Sequence, residues 1–150
     1  MQHRPCNWNT WLRPLVWPFA LCIGLLASSQ PCLALDLSGC WEGCWRSDTN
    51  GHDGVLRATI QKQDGNHYCA HFSGTFYKII PFRYSVLLNV KEEGETLKLE
   101  GSSYLGRLFG GTFTYSGTAT DTDFQADYSS SKDCGEFRMK RVDSCASCCP

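Results

Sequence analysis

From position 37 to position 141 apolar and polar residues alternate with a period of two, and nowhere does helical spacing persist. A strand turns successive side chains to opposite faces, so this alternation predicts strands with one dry face and one wet face. Leu37, Gly39, Trp41, Gly43 and Trp45 share the inner face of a first strand, with Cys40, Glu42 and Cys44 on its outer face. Leu56, Ala58 and Ile60 line a second strand, and Tyr68, Ala70, Phe72, Gly74 and Phe76 a third. Phe82, Tyr84, Val86, Leu88 and Val90 line a fourth, and Leu97, Leu99 and Gly101 a fifth. Phe113, Tyr115, Gly117 and Ala119 mark a sixth, Phe124, Ala126 and Tyr128 a seventh, and Phe137, Met139 and Arg141 an eighth.

Three connections are of hairpin length: Asp64-Gly65-Asn66, Glu93-Gly94-Glu95 and Thr120-Asp121-Thr122. Turns this short join antiparallel neighbours, so the eight strands form a meander. A flat meander exposes two strand edges, and closure removes them. The expected fold is therefore all-β, an eight-stranded antiparallel up-and-down barrel, with a two-sheet β-sandwich as the alternative. An eight-stranded barrel is filled by its own side chains or holds one small ligand. Inward Gly and Ala alternating with Trp, Phe and Tyr suit a tapered interior of that kind.

Leu37-Ser38-Gly39-Cys40-Trp41, at the start of the first strand, resembles the Gly-X-Trp signature of the calycins, the superfamily of lipocalin, avidin and fatty-acid-binding barrels. The resemblance implies a basic residue on the last strand packed over the Trp, a place that Arg141 fills. The chain lacks the lipocalin Thr-Asp-Tyr motif and is shorter than a typical lipocalin. The whole pattern also resembles small secreted proteins of planctomycete bacteria, which implies location and no chemistry.

In a meander the odd-numbered connections gather at one end. Here they are Ser47 to Gly54, Tyr77 to Pro81, Ser102 to Gly111 and Ser129 to Gly135, all longer than the even ones. Two are apolar, with Tyr77, Ile79, Ile80 and Pro81 in one and Tyr104, Leu105, Leu108 and Phe109 in the other. Leaving such side chains in water forfeits about 1.5 to 3 kcal/mol each. Three readings follow: a lid over a solid core, a mouth that takes a small apolar or mixed ligand, or a rim that docks on an envelope protein or membrane. The ligand reading places Trp45, Tyr77, Tyr84, Tyr104, Arg107 and Phe109 at the site, with Arg83 and Arg107 available to an anionic head group.

Composition changes sharply at the amino end. Residues 1–34 read as basic start, apolar middle and small-residue exit, the order of a secretory signal, with cleavage expected after Ala34. The apolar stretch from Leu15 to Ala27 is shorter than a membrane span, and no other run is long or apolar enough to serve as one. The expected organisation is a signal peptide over 1–34, a barrel domain over 35–143 and a Cys-rich tail over 144–150, in a secreted or periplasmic protein. Beyond residue 34 there are 12 basic and 15 acidic residues, a net −3 without a basic cluster, so nucleic acid is excluded as a partner.

Seven cysteines follow the signal: 40, 44, 69, 134, 145, 148 and 149. In an exported protein they point to disulfides with one thiol left over. Closure sets the first strand beside the eighth, which suggests staples from Cys44 to Cys134 and from Cys40 to Cys145, Cys148 or Cys149. Leu37-Ser38-Gly39-Cys40 also matches a bacterial lipoprotein box, which makes lipidation at Cys40 an alternative. His67, Cys69 and His71 share one strand face, but i to i+4 along a strand is about 13 Å, too far for both histidines to grip one metal. Cys145-Ala146-Ser147-Cys148 contains a Cys-X-X-Cys without a second half of ligand spacing. There is no Gly-X-Ser-X-Gly, no His-Glu-X-X-His and no phosphate loop, and His52-Asp53 sits in a Gly-rich turn. The expectation is a non-enzymatic protein without a cofactor.

Overall fold

The computed structural model describes residues 35–77 and 79–145. Signal and cleavage therefore lie outside the described residues, as do Cys148 and Cys149. Eight strands run β1 (Gly39–Ser47), β2 (Asp53–Lys62), β3 (His67–Phe76), β4 (Ile80–Glu93), β5 (Thr96–Tyr104), β6 (Thr112–Ala119), β7 (Asp123–Ser129) and β8 (Cys134–Val142). Each pairs antiparallel with the next, and β1 pairs with β8, so the sheet closes into an up-and-down barrel. The sandwich alternative falls: two sheets would leave β1 and β8 as edges.

The alternation holds in every strand. Trp41 and Trp45 are both buried, and so are Leu56, Ala58 and Ile60 of β2 and Tyr68, Ala70 and Phe72 of β3. Three inward glycines admit strands that any side chain would push apart. A Cβ at Gly43 would stand 2.0 Å from the Arg138 carbonyl oxygen, at the β1–β8 seam. At Gly54 it would meet Trp45 Nε1 at 2.6 Å, and at Gly74 the Phe82 ring at the same distance. Those last two glycines let Trp45 and Phe82 lie against the wall.

The even end is sealed. Leu37 is fully buried, and the Trp41 indole N–H donates to its carbonyl oxygen. The Arg141 guanidinium lies 4.4 Å over the Trp41 ring and donates to the carbonyls of Asp36, Ser38 and Asp121. One residue thus ties the chain entering β1 to the β6–β7 turn and caps an aromatic ring with a cation.

Cys40 is bonded to Cys145, joining the start of β1 to the segment after β8. The expected staple from Cys44 to Cys134 is corrected. The register sets Cys44 opposite Arg138 and Gly135 opposite Ser47, so Cys134 lies four residues further along the seam. That is about 13 Å, beyond the reach of a disulfide, and neither is bonded to another cysteine among the described residues. Lipidation at Cys40 does not stand either: its sulfur is engaged, and cleavage before it would remove the buried Leu37.

Candidate functional site

The odd end is built differently from the sealed one. Its inward side chains are nearly all aromatic: Trp45 of β1, Phe76 of β3, Phe82 and Tyr84 of β4, Phe113 and Tyr115 of β6, Tyr128 of β7 and Phe137 of β8. They surround a cavity of about 510 Å³, whose rim adds Ile80, Pro81, Arg83, Leu105, Phe109 and Asp133. Aliphatic chains can fold into a gap, but flat rings cannot, so a ring-lined taper leaves space where the barrel widens. Ring faces run close to parallel: Phe72 and Tyr84 at 25°, Phe72 and Tyr115 at 13°, Tyr84 and Tyr115 at 18°.

Polar groups are few. The Asp133 carboxylate accepts from Ser47 Oγ at 2.5 Å and from the Tyr128 hydroxyl at 3.1 Å. Burial pushes the Tyr128 hydroxyl well above its ordinary pKa, and the Asp133 charge beside it adds to the rise. Burial likewise raises Tyr84, and it pushes Tyr115 up to about 12. Tyr115 is 4% exposed, and among the described residues its buried hydroxyl has the Tyr84 hydroxyl as a polar neighbour but no partner at full hydrogen-bond geometry. A buried hydroxyl without a partner costs about 1 to 3 kcal/mol, and the neighbouring Tyr84 hydroxyl offsets part of that here.

The wall has a gap. β3 and β4 pair continuously from His67 and Asn89 to Phe76 and Ile80, whereas β4 and β5 pair only from Leu87 and Ser102 onward. The stretch from Ile80 to Tyr84, about 16 Å of strand, thus has a partner on one side only, since the Ser85 carbonyl still accepts from Ser103 Oγ of β5. All five of its residues line the cavity together with Leu105 and Phe109, so the unpaired edge of β4 borders the cavity.

Of the six site residues expected from sequence, Trp45, Tyr84 and Phe109 meet in this cavity, and three are corrected. Tyr104 is the last residue of β5, in the outward phase opposite to Leu97 and Leu99, and it is exposed. Arg107 opens an exposed 3₁₀ turn, Arg107–Phe109, and does not line the cavity. Tyr77 has a left-handed backbone (φ 50°) in the β3–β4 turn, and its ring packs edge-on against His52 at 4.5 Å. Two loops also shorten, because Ile80 and Pro81 join β4, and Ser102 to Tyr104 join β5. Phe76, Phe82, Phe113, Tyr115, Tyr128 and Phe137 were legible as inward residues but not as neighbours at one end. Asp133 carries no sequence signal beyond its place in a loop.

Elsewhere, Cys69 Sγ lies 3.6 Å from His71 Nε2, His71 Nδ1 meets Ser85 Oγ at 2.8 Å, and His67 turns to Asp64. Among the described residues no three His, Cys, Asp or Glu side chains converge as metal ligands, and no helix is long and apolar enough to cross a membrane. Fold and site together define a closed eight-stranded antiparallel barrel, sealed at one end and open through an aromatic mouth at the other. No protein-family model, curated protein sequence or solved structure matches the chain.

Proposed function

We propose that this protein is an exported, non-enzymatic binding protein whose barrel mouth takes a small planar apolar molecule carrying one hydrogen-bonding group. The single observation that carries this reading is the cavity of about 510 Å³ lined by eight inward aromatic rings at one end of the barrel. That volume is in the range of small-molecule pockets, which are mostly apolar with a few aimed polar groups.

Export is supported by the leader composition of residues 1–34 and by the Cys40–Cys145 disulfide, a bond that persists in oxidising compartments. The Arg141 guanidinium over Trp41 supports a calycin-type ancestry as part of the same proposal. A second reading has its own observation: Ile79 and Leu108 at the rim are 80% and 87% exposed, which favours docking of the mouth on an envelope partner.

The test is titration of the purified protein with N-phenyl-1-naphthylamine, a neutral planar dye that brightens in dry sites. The expected result is saturable one-to-one binding, with amide chemical-shift changes confined to the odd-end halves of the strands. Absence of saturation, or shifts spread over Ile79 and Leu108 without the cavity strands, overturns the reading in favour of docking.

A further inference from the structure

The gap in the wall is a place where backbone hydrogen-bonding groups meet an aromatic cavity. In a regular antiparallel ladder, the N–H and C=O of one residue point to the same side, and successive residues alternate. The β3–β4 register is unbroken from Asn89 to Ile80, so its phase is fixed along the whole strand. Val90 N–H, in the even phase, reaches back to Asn66 just before β3, and the Ser85 carbonyl, in the odd phase, accepts from Ser103 Oγ of β5. Odd residues of β4 therefore face the β5 side. Beyond Ser85 these are Arg83 and Pro81, where β5 has already left the ladder.

The two residues differ in what they offer. Pro81 has no N–H, so no donor stands on this edge at its position, and a long added strand cannot pair there. Arg83 presents its amide N–H, and its side chain, in the exposed outward phase of β4 at the edge of the cavity, has no ion-pair partner among the described residues. It lines the cavity, as do Leu105 and Phe109. A backbone donor beside an unpaired guanidinium is an anion site, and one such donor followed by a proline suits a small head group better than a peptide strand.

We infer that the ligand is a small planar acid: its apolar body lies in the aromatic mouth, and its anionic group sits at the unpaired edge of β4 on the Arg83 amide and guanidinium. This rests on the reading of the mouth as a binding site. It adds the charge of the ligand and the strand edge that holds it.

The experiment compares two dyes of one shape, N-phenyl-1-naphthylamine and its sulfonated counterpart 8-anilinonaphthalene-1-sulfonate, on the purified protein and on Arg83→Ala and Arg83→Pro. Arg83→Ala removes the guanidinium and keeps the amide; Arg83→Pro removes both, at an edge position where the ladder to β3 loses nothing. A charge-assisted hydrogen bond is worth about tenfold or more in affinity. The expected result is a loss of about tenfold for the sulfonated dye in Arg83→Ala and a further loss in Arg83→Pro, each larger than the loss for the neutral dye in the same variant. Thermal unfolding followed by circular dichroism shows whether both variants are folded. Excess 2-naphthoate should displace the sulfonated dye, and vesicles of phosphatidylglycerol should not.

If the neutral dye fails to bind the unaltered protein, the cavity reading itself falls. If it binds while the sulfonated dye ignores both variants, only the anion site falls. Displacement by vesicles and not by 2-naphthoate overturns the small acid in favour of a lipid head group.

Discussion

Replacing Tyr115 by Phe separates a binding hydroxyl from a structural one, because the two roles give opposite signs. The ring would remain in its near-parallel stack, 6.4 Å from Phe72 and 6.2 Å from Tyr84, so packing is preserved and only the oxygen is lost. That oxygen is buried and, among the described residues, has only the Tyr84 hydroxyl near it and no partner at full hydrogen-bond geometry, a cost of up to about 1 to 3 kcal/mol relative to water. Tyr115→Phe should therefore stabilise the empty protein by about that amount, raising Tm by roughly 4 °C for each kcal/mol in a domain of this size. Binding should move the other way. Affinity for 2-naphthol, a planar body with one hydroxyl, should fall by about two- to tenfold, the net worth of one neutral hydrogen bond. Affinity for naphthalene should not change. Thermal unfolding followed by circular dichroism, with and without each compound, measures both. Destabilisation of the empty protein by more than about 1 kcal/mol would show that the hydroxyl already has a partner and refute the reasoning.

Other outcomes follow from the seam and the buried hydroxyls. Cys40→Ala opens a covalent loop spanning 105 residues and should cost about 2 to 4 kcal/mol in denaturant titrations, a difference that a reductant abolishes. Gly43→Ala drives a Cβ to 2.0 Å from the Arg138 carbonyl and should cost about 3 kcal/mol or more, whereas Gly65→Ala, with open space around it, should cost far less despite its positive φ. Burial raises the hydroxyl pKa values of Tyr84, Tyr115 and Tyr128, so the unfolded chain releases these protons first and stability falls with pH above about 10. For Tyr115 the loss continues to about pH 12, and Tyr115→Phe should flatten the decline in melts taken across that range. Mass spectrometry of the protein recovered from the extracellular or periplasmic fraction should give a chain beginning at Leu35, and a retained leader would contradict export.

Strand number, strand phase and the identity of most core residues were legible because they depend on the local two-residue period and on short turns. Trp41, Leu56, Phe72, Leu88, Leu99 and Phe137 all point inward as the alternation predicts. The site was only half legible. Tyr77, Tyr104 and Arg107 stand in apolar loops and so looked like mouth residues, but the local backbone turns each away: Tyr104 by one step of strand phase, Tyr77 by a left-handed residue, Arg107 by an exposed 3₁₀ turn. The disulfides divided in the same way. Adjacency of the first and last strands was predictable, but the register that joins Cys40 to Cys145 and separates Cys44 from Cys134 was not.

By itself the sequence determined eight antiparallel strands with one dry face, because alternation and turn length act between neighbours in the chain, while the pairing of β1 with β8 decided the barrel over the sandwich. Only the tertiary structure decided that one end is sealed by Leu37, Trp41 and Arg141 while the other is an aromatic cavity with a gap beside β4. Those features depend on how far each strand slides along the next before pairing stops. The slide is set by packing around the whole ring, and no local window of residues contains it.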